Sequence, residues 1–295
     1  MPRLAAFPKG FLDDLLVHKT MSLLDWISLG STLDVDGLEM YAGFFDGEDP
    51  PSLDQVRSEM QKHGLAMPMM CFSPDFTMPD PQDRRRQLDR QRRAIDLTSA
   101  LGGSLCRTLS GQNRPGLCRR TAVRWCVECI REAADHAGER GITLAMENHY
   151  KDGYWEYPEF AMPSQIFLEI VSQIDSPAFG INFDPSNSLV AGEDPILLLE
   201  QIKDRVVSMH ASDRYLEGGT LDDLRRLEQD PAIGYAATLQ HGVIGRGLND
   251  YDRIFPLLRR AGFDGWISIE DGIHGMHELH ESAAFLRAKI AQHFP

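Results

Sequence analysis

Short apolar runs alternate with longer amphipathic segments along the chain, and this alternation limits the possible folds more than any other feature of the sequence. The predicted strands, eight in number, cover residues 3–7, 36–40, 65–72, 104–109, 142–146, 179–183, 206–209 and 266–269. Strands that alternate with helical patterns are typical of βαβ units and a parallel sheet. We therefore expect an α/β fold in which each strand is followed by a helix.

The number of units and the length of the chain favour a closed barrel. A (β/α)8 TIM barrel has about 250 residues, and this chain has 295. The alternative is an open doubly wound sheet, which usually carries a glycine-rich phosphate loop after its first strand. Residues 7–11, Phe-Pro-Lys-Gly-Phe, do not form such a loop. With no visible linker or internal repeat, we predict a single (β/α)8 barrel domain over residues 1–295.

Each of the last four predicted strands ends in a residue that is costly to bury, namely Glu147, Asp184, His210 and Glu270. A charged group in an apolar setting needs a partner. The C-terminal ends of barrel strands lie on one face, so residues spaced by 37, 26 and 60 positions would meet there. Three carboxylates and an imidazole predict a divalent-metal site for manganese, magnesium or cobalt, with zinc also open. The alternative is a buried polar network without metal.

Composition excludes several classes of protein. With 30 Lys and Arg against 44 Asp and Glu, the net charge is −14, which disfavours nucleic-acid binding because that needs cations to neutralise phosphates. No apolar run reaches the ~18 residues of a membrane span, and the first residues lack the pattern of a signal peptide. The cysteines, five in total, are scattered, which suits a reducing compartment. We expect a cytoplasmic protein whose partner is a small molecule.

Four motifs carry a resemblance to a known family. They are Ala-Met-Glu-Asn-His at 145–149, Asn-Phe-Asp-Pro-Ser-Asn at 182–187, Val-Ser-Met-His-Ala-Ser-Asp at 207–213 and Ile-Ser-Ile-Glu at 267–270. The chain resembles the xylose-isomerase-like TIM barrel superfamily, also called the sugar phosphate isomerase/epimerase family. In its ketose epimerases the matching Glu, Asp, His and Glu bind one divalent cation, often manganese. The resemblance implies that Glu147 and Glu270 also exchange the substrate proton.

The chemistry implied by the resemblance is proton transfer next to a carbonyl. Removal of that proton gives an enediolate, whose charge a cation stabilises as a Lewis acid. Glu147 and Glu270 would act on opposite faces of the substrate. We expect a metal-dependent isomerase or epimerase acting on a small keto-sugar or related polyol carbonyl compound, without a phosphate group. Two alternatives stay open: a lyase or dehydratase acting on a keto-sugar or keto-glycoside, and a non-catalytic sugar-binding barrel. The protein could form a homo-oligomer.

Two positions depart from the family patterns. Asn187 stands where the ketose epimerases have a substrate-binding histidine, which endonuclease IV needs as a zinc ligand. Residues 240–247, Gln-His-Gly-Val-Ile-Gly-Arg-Gly, resemble an endonuclease segment in which His241 would bind zinc, but Leu239 replaces an aspartate ligand. A trinuclear nuclease is therefore disfavoured. We predict substrate contacts for Asn187, His241 and Arg246, with a salt bridge as the alternative for Arg246.

Five further residues are predicted to share the same face of the barrel. His149 and Lys151 follow Glu147 and could contact substrate, and Glu39 at the end of the second strand could do the same, with an ion pair as the alternative. Asp213 and Arg214 come just after His210. We expect them to orient its imidazole, because a metal-bound histidine usually donates its other N–H to a partner.

Overall fold

The computed structural model describes residues 1–46, 50–220, 222–223 and 238–294. Its strands are β1 (Arg3–Ala6), β2 (Gly37–Leu38), β3 (Met40–Tyr41), β4 (Met69–Cys71), β5 (Leu105–Thr108), β6 (Thr143–Glu147), β7 (Phe179–Phe183), β8 (Val206–Ala211), β9 (Arg214–Leu216), β10 (Leu239–His241) and β11 (Trp266–Ile269). All but β9 and β10 belong to one sheet of nine strands, in the order β2-β1-β11-β8-β7-β6-β5-β4-β3.

The sheet closes almost completely into a barrel. Its neighbouring strands all pair in parallel. The strands β2 and β3 are two halves of the second barrel strand, which is interrupted at Glu39. One half pairs with β1 and the other with β4, and a parallel bridge joins Gly37 to Ala66. The predicted (β/α)8 TIM barrel is therefore confirmed, while the domain limits 1–295 stay a prediction.

Helices connect successive strands of the barrel. They are α1 (Leu12–Leu16), α2 (Leu23–Gly30), α3 (Leu53–Lys62), α4 (Pro81–Ala100), α5 (Arg119–Gly138), α6 (Ser164–Val171), α7 (Pro185–Val190), α8 (Pro195–Ile202), α9 (Tyr251–Arg260) and α10 (Met276–His293). Capping residues define where several of them begin. Ser52 and Gln55 form a capping box at the start of α3, which satisfies two N–H groups that lack helical partners.

The two-residue period of the strands separates an outer core from the barrel interior. In β1, Leu4 and Ala6 pack in the core formed with the helices, whereas Ala5 belongs to an interior cluster. The interior cluster is made of Ala5, Phe7, Met69, Cys71, Leu105, Ala145 and Trp266. Continuing the same alternation from Leu105 to Arg107 and from Ala145 to Glu147 places these charged residues above the apolar plug, at the mouth of the barrel.

Asp184, which belongs to the candidate site, also caps the start of helix α7. Helix α7 begins directly after β7, and the carboxylate of Asp184 accepts hydrogen bonds from the backbone N–H groups of Ser186 and Asn187 at its start. The sequence analysis did not identify α7. Its N-cap, with proline at the first helical position, is a sequence signature of a helix start. Among the described residues, no helix is long and apolar enough to cross a membrane.

Candidate active site

Glu147, Asp184, His210 and Glu270 converge at the C-terminal mouth of the barrel. Each offers a ligand atom, and these four atoms all lie within 4.8 Å of one another. The Nδ1 atom of His210 lies 3.2 Å from Glu147 Oε1 and 3.2 Å from Glu270 Oε2. All four residues are buried. Their convergence is the geometry that the strand ends predict, while their role as metal ligands stays a prediction.

The charges of this cluster fit a cation. Burial, together with the nearby charges of Glu270 and Glu147, raises the pKa of Asp184 to about 7. Burial alone would lower the pKa of His210, but Glu270, Glu147 and Glu39 hold it well above its usual value. A proton on the imidazole thus balances the carboxylates in the absence of metal. Three oxygen donors and one nitrogen donor suit a manganese, magnesium, cobalt or zinc ion, so the residues present fit the predicted cofactor.

Glu39 contacts His210, a contact that the sequence analysis did not predict. Its Oε2 lies 3.0 Å from Nε2 of His210, and both side chains are fully buried. The thiol of Cys71 donates to the same oxygen at 3.7 Å. Glu39 therefore holds the imidazole so that Nδ1 points at the carboxylate cluster, and its predicted substrate contact stays a prediction. Among the described residues, Glu39 has the orienting position that the sequence analysis assigned to Asp213 and Arg214.

Asp213 organises the backbone of a loop. Its carboxylate accepts hydrogen bonds from the N–H groups of Gly245, Gly247, Asn249 and Arg214 at 2.8–3.1 Å. Gly247 has no room for a side chain, because a Cβ there would collide with the Asp213 carboxylate. We call this arrangement the Asp213 clasp. The oxygens of Asp213 bind this backbone, whereas the His210 ring contacts Glu39, Glu147 and Glu270.

Arg214 pairs with the strand that carries His241, and Arg246 follows that strand in the chain. Arg214 lies in β9, opposite His241 in β10, and its charge lowers the pKa of that histidine. Arg246 lies outside the mouth: its side chain is 70% exposed and forms an ion pair with Glu281 at 2.9 Å. This position matches the alternative considered for Arg246, a salt bridge, and does not support a substrate contact.

A cavity of about 410 Å³ opens beside the carboxylate cluster. Its charged and titratable lining includes Lys9, Arg107, His149, Lys151, His241 and Glu270. Three of the residues predicted to contact substrate, His149, Lys151 and His241, thus face the same space. Asn187 is buried instead, and its Nδ2 donates to Glu147 Oε1 at 3.3 Å.

Each of the two histidines in the cavity wall is held by a buried carboxylate. His149 Nδ1 lies 3.2 Å from Glu159 Oε2, and the other oxygen of Glu159 accepts bonds from the N–H and hydroxyl of Ser110. His241 Nδ1 lies 2.6 Å from Asp271 Oδ1. Burial lowers the pKa of His241 to about 2 and raises that of Asp271 well above its usual value. The second pair therefore shares one proton and stays neutral overall.

The sequence analysis missed two cations of the site, Arg107 and Lys9. Arg107 Nη1 donates to Glu147 Oε2 at 2.9 Å and lies 3.9 Å from Glu270 Oε1. Lys9 Nζ lies 3.3 Å from the same Glu270 oxygen. Burial alone would raise the pKa of Glu270, but Lys9, His210 and Arg107 hold it well below its usual range. Arg107 was detectable, because it is a charged residue inside an apolar strand.

Comparison with known proteins agrees with the fold. The family model of the xylose isomerase-like TIM barrel matches residues 27–289. An inosose dehydratase of Lacticaseibacillus casei is 22% identical over 148 residues, which cover 48% of this chain and 44% of that protein. The alignment thus spans less than half of the relative's length.

Solved structures resemble the whole barrel. L-ribulose 3-epimerase superposes with a TM-score of 0.75 at 13% identity, covering 99% of this chain and 95% of that one. The IOLI protein with a bound zinc atom superposes with a TM-score of 0.72 at 15% identity, covering 99% of both chains. At these identities the two structures support the fold alone. The match of the family model over residues 27–289 means that the chain belongs to the xylose isomerase-like TIM barrel family.

Proposed function

We propose that this protein is a divalent-metal-dependent isomerase or epimerase acting on a small keto-sugar or related polyol carbonyl compound. The observation that carries the proposal is the pair of buried carboxylates, Glu147 and Glu270, which flank His210 Nδ1 at 3.2 Å each. Glu270 also lines the cavity. Relatives in the family include a dehydratase and an epimerase, so an enzyme of this kind is the starting expectation.

The two carboxylates would move a proton between faces of the substrate. Lys9 and Arg107 keep Glu270 ionised, and His210 and Arg107 do the same for Glu147 against the effect of burial. One ionised carboxylate can remove the proton next to the carbonyl, and the other can return a proton to the opposite face. A divalent ion, manganese by preference, would lower the energy of the charge that develops on the substrate oxygen. Glu39 would keep His210 in the orientation needed to hold that ion.

A lyase or dehydratase is the second candidate, and the paired histidines favour it. His149 and His241 line the cavity, each oriented by a buried carboxylate. Burial alone would lower the pKa of His149, but Glu147 and Glu159 raise it, so His149 can give a proton to a leaving group. Both candidate reactions begin with loss of the same proton. They differ in whether the enediolate is reprotonated or expels a group from the neighbouring carbon.

Solvent deuterium exchange tests the proposal directly. The full chain, loaded with manganese, is incubated in D₂O with a panel of ketoses and 3-keto-glycosides, and incorporation is followed by mass spectrometry. We expect exchange next to the carbonyl that stops when a chelator removes the metal. Glu147→Gln and Glu270→Gln should each slow exchange at least about 100-fold, the low end of the usual contribution of a general acid or base.

The control is Glu281→Gln, which changes an exposed glutamate of helix α10. Full exchange activity in either active-site variant would refute the proton-transfer assignment. Product analysis of the same panel separates an epimerase, which returns an isomer, from a lyase, which releases a fragment or water. A protein that binds the sugars without exchange would be the non-catalytic barrel. Cytoplasmic location and a homo-oligomeric state stay predictions from the sequence.

A further inference from the structure

Three positively charged side chains line the cavity. Lys9 follows β1, Arg107 belongs to β5 and Lys151 follows β6, and all three line the cavity. The acids on the same walls are Asp13, Asp152 and Glu270. Of these, Glu270 is a candidate metal ligand, so a bound cation would add to the positive charge at this end of the cavity.

Arg107 is the most buried of these cations. Its side chain is 4% exposed, and Nη2 donates to Ser73 Oγ at 2.9 Å while Nη1 donates to Glu147. Its Nε has no hydrogen-bond partner among the described residues. A guanidinium offers five N–H donors, and a buried charge is costly unless it is fully paired. Both carboxylates near Arg107, Glu147 at 2.9 Å and Glu270 at 3.9 Å, would be shared with a metal ion, which leaves the guanidinium able to bind a further anion.

We propose that the substrate carries a carboxylate next to its polyhydroxylated carbonyl portion, and that Arg107 binds this group with help from Lys9 and Lys151. The inference rests on the proposed function and specifies its substrate as a polyhydroxylated keto acid. The planar fork of a guanidinium matches a carboxylate. A cavity of about 410 Å³ lies within the range of roughly 300–1,000 Å³ typical of small-molecule sites.

Binding of a matched pair of ligands tests the proposal. Gluconate and glucitol have the same number of carbons and differ at one end, where gluconate has a carboxylate and glucitol an alcohol. Their dissociation constants are measured by calorimetry on the manganese-loaded full chain. We expect gluconate to bind at least tenfold more tightly. Arg107→Gln should reduce this preference to about twofold, and Arg107→Lys should keep part of it because the charge remains.

Controls separate substrate recognition from loss of fold or metal. Arg124→Gln removes an exposed positive charge from helix α5 and should leave the preference unchanged. Manganese affinity is measured for every variant, so that a change in ligand preference is compared at full metal occupancy. If Arg107→Gln does not fold, Lys151→Gln replaces it, and a severalfold loss of the preference is expected. No loss in that variant would overturn the role of Lys151 and, with it, the proposed site.

The outcomes distinguish this inference from the proposed function. Equal affinity for gluconate and glucitol would overturn the keto-acid inference, even if neutral keto-sugars exchange deuterium as the proposed function requires. A clear preference for gluconate with no exchange on neutral or acidic keto compounds would support the anion site but refute the proposed activity. Tighter binding of glucitol 6-phosphate than of gluconate would assign the cations to a phosphate and overturn the carboxylate.

Discussion

Replacement of Glu39 should weaken metal binding without removing a ligand. Its Oε2 accepts a hydrogen bond from His210 Nε2 at 3.0 Å in a fully buried setting. A hydrogen bond to a charged group contributes about 1.5–3 kcal/mol, and loss of such a partner of a metal-bound histidine lowers metal affinity about 10–100-fold. A tenfold change corresponds to about 1.4 kcal/mol.

Two substitutions of Glu39 should cause different losses of metal affinity within this range of about 10–100-fold. In Glu39→Gln the amide oxygen can still accept from the imidazole, so we expect a loss near tenfold. In Glu39→Ala the imidazole N–H loses its acceptor and a cavity remains, so we expect a loss near 100-fold. Affinity is measured by competition for manganese or cobalt with a chromophoric chelator. The control is Glu132→Gln, which changes a carboxylate on the outer face of helix α5.

Unchanged metal affinity in both Glu39 variants, with the fold intact by circular dichroism, would refute the reasoning. It would mean that the imidazole is held well enough by its own packing, including the ring of Phe7, which stacks with it at a centroid distance of 6.5 Å. A loss in Glu132→Gln as large as in Glu39→Gln would show that the effect is general electrostatics and not orientation of His210.

Two further predictions follow from charges at and near the mouth. The pKa of Asp184 is raised from 3.8 to about 7. Between these pH values the folded protein keeps a proton on this carboxyl that the unfolded chain has lost. The carboxyl therefore destabilises the metal-free fold increasingly as the pH rises from about 4 to about 7. Metal-free Asp184→Asn should therefore melt several degrees above the parent at pH 8 and by less at pH 5 in calorimetry; an equal shift at both pH values would contradict this. Arg246→Gln should change deuterium exchange by less than about twofold because the exposed side chain contacts Glu281, and a loss of tenfold or more would return Arg246 to the substrate site.

The barrel and its acidic cluster could be predicted because both depend on local patterns. A charged residue at the end of an apolar strand is visible in the sequence, and the (β/α)8 topology brings the ends of β6, β7, β8 and β11 together. The same rule applies to Arg107. Leu105 and Arg107 are two residues apart in β5, so both side chains point into the barrel. Arginine does not bind metal ions, so a pattern of metal ligands does not include it.

The direction of side chains in the loops could not be predicted in this way. Arg246 is flanked by Gly245 and Gly247, whose N–H groups both donate to Asp213; this contact turns the arginine outward, and nothing in the glycine pattern names the acceptor. The sequence analysis likewise expected the partner of His210 among its neighbours in sequence, Asp213 and Arg214. It came instead from Glu39, 171 positions away, at a break in the second barrel strand. Such long-range pairings depend on strand register and not on local composition.

The Asp213 clasp has a consequence for how this barrel can diversify. The carboxylate of Asp213, just after β8, binds the backbone of residues 245–249. Between these two segments of the chain, β9 (Arg214–Leu216) pairs with β10 (Leu239–His241). Both ends of the intervening stretch are thus anchored independently of its length. We therefore expect His241 and the mouth to keep their geometry when residues are inserted or removed between Leu216 and Leu239.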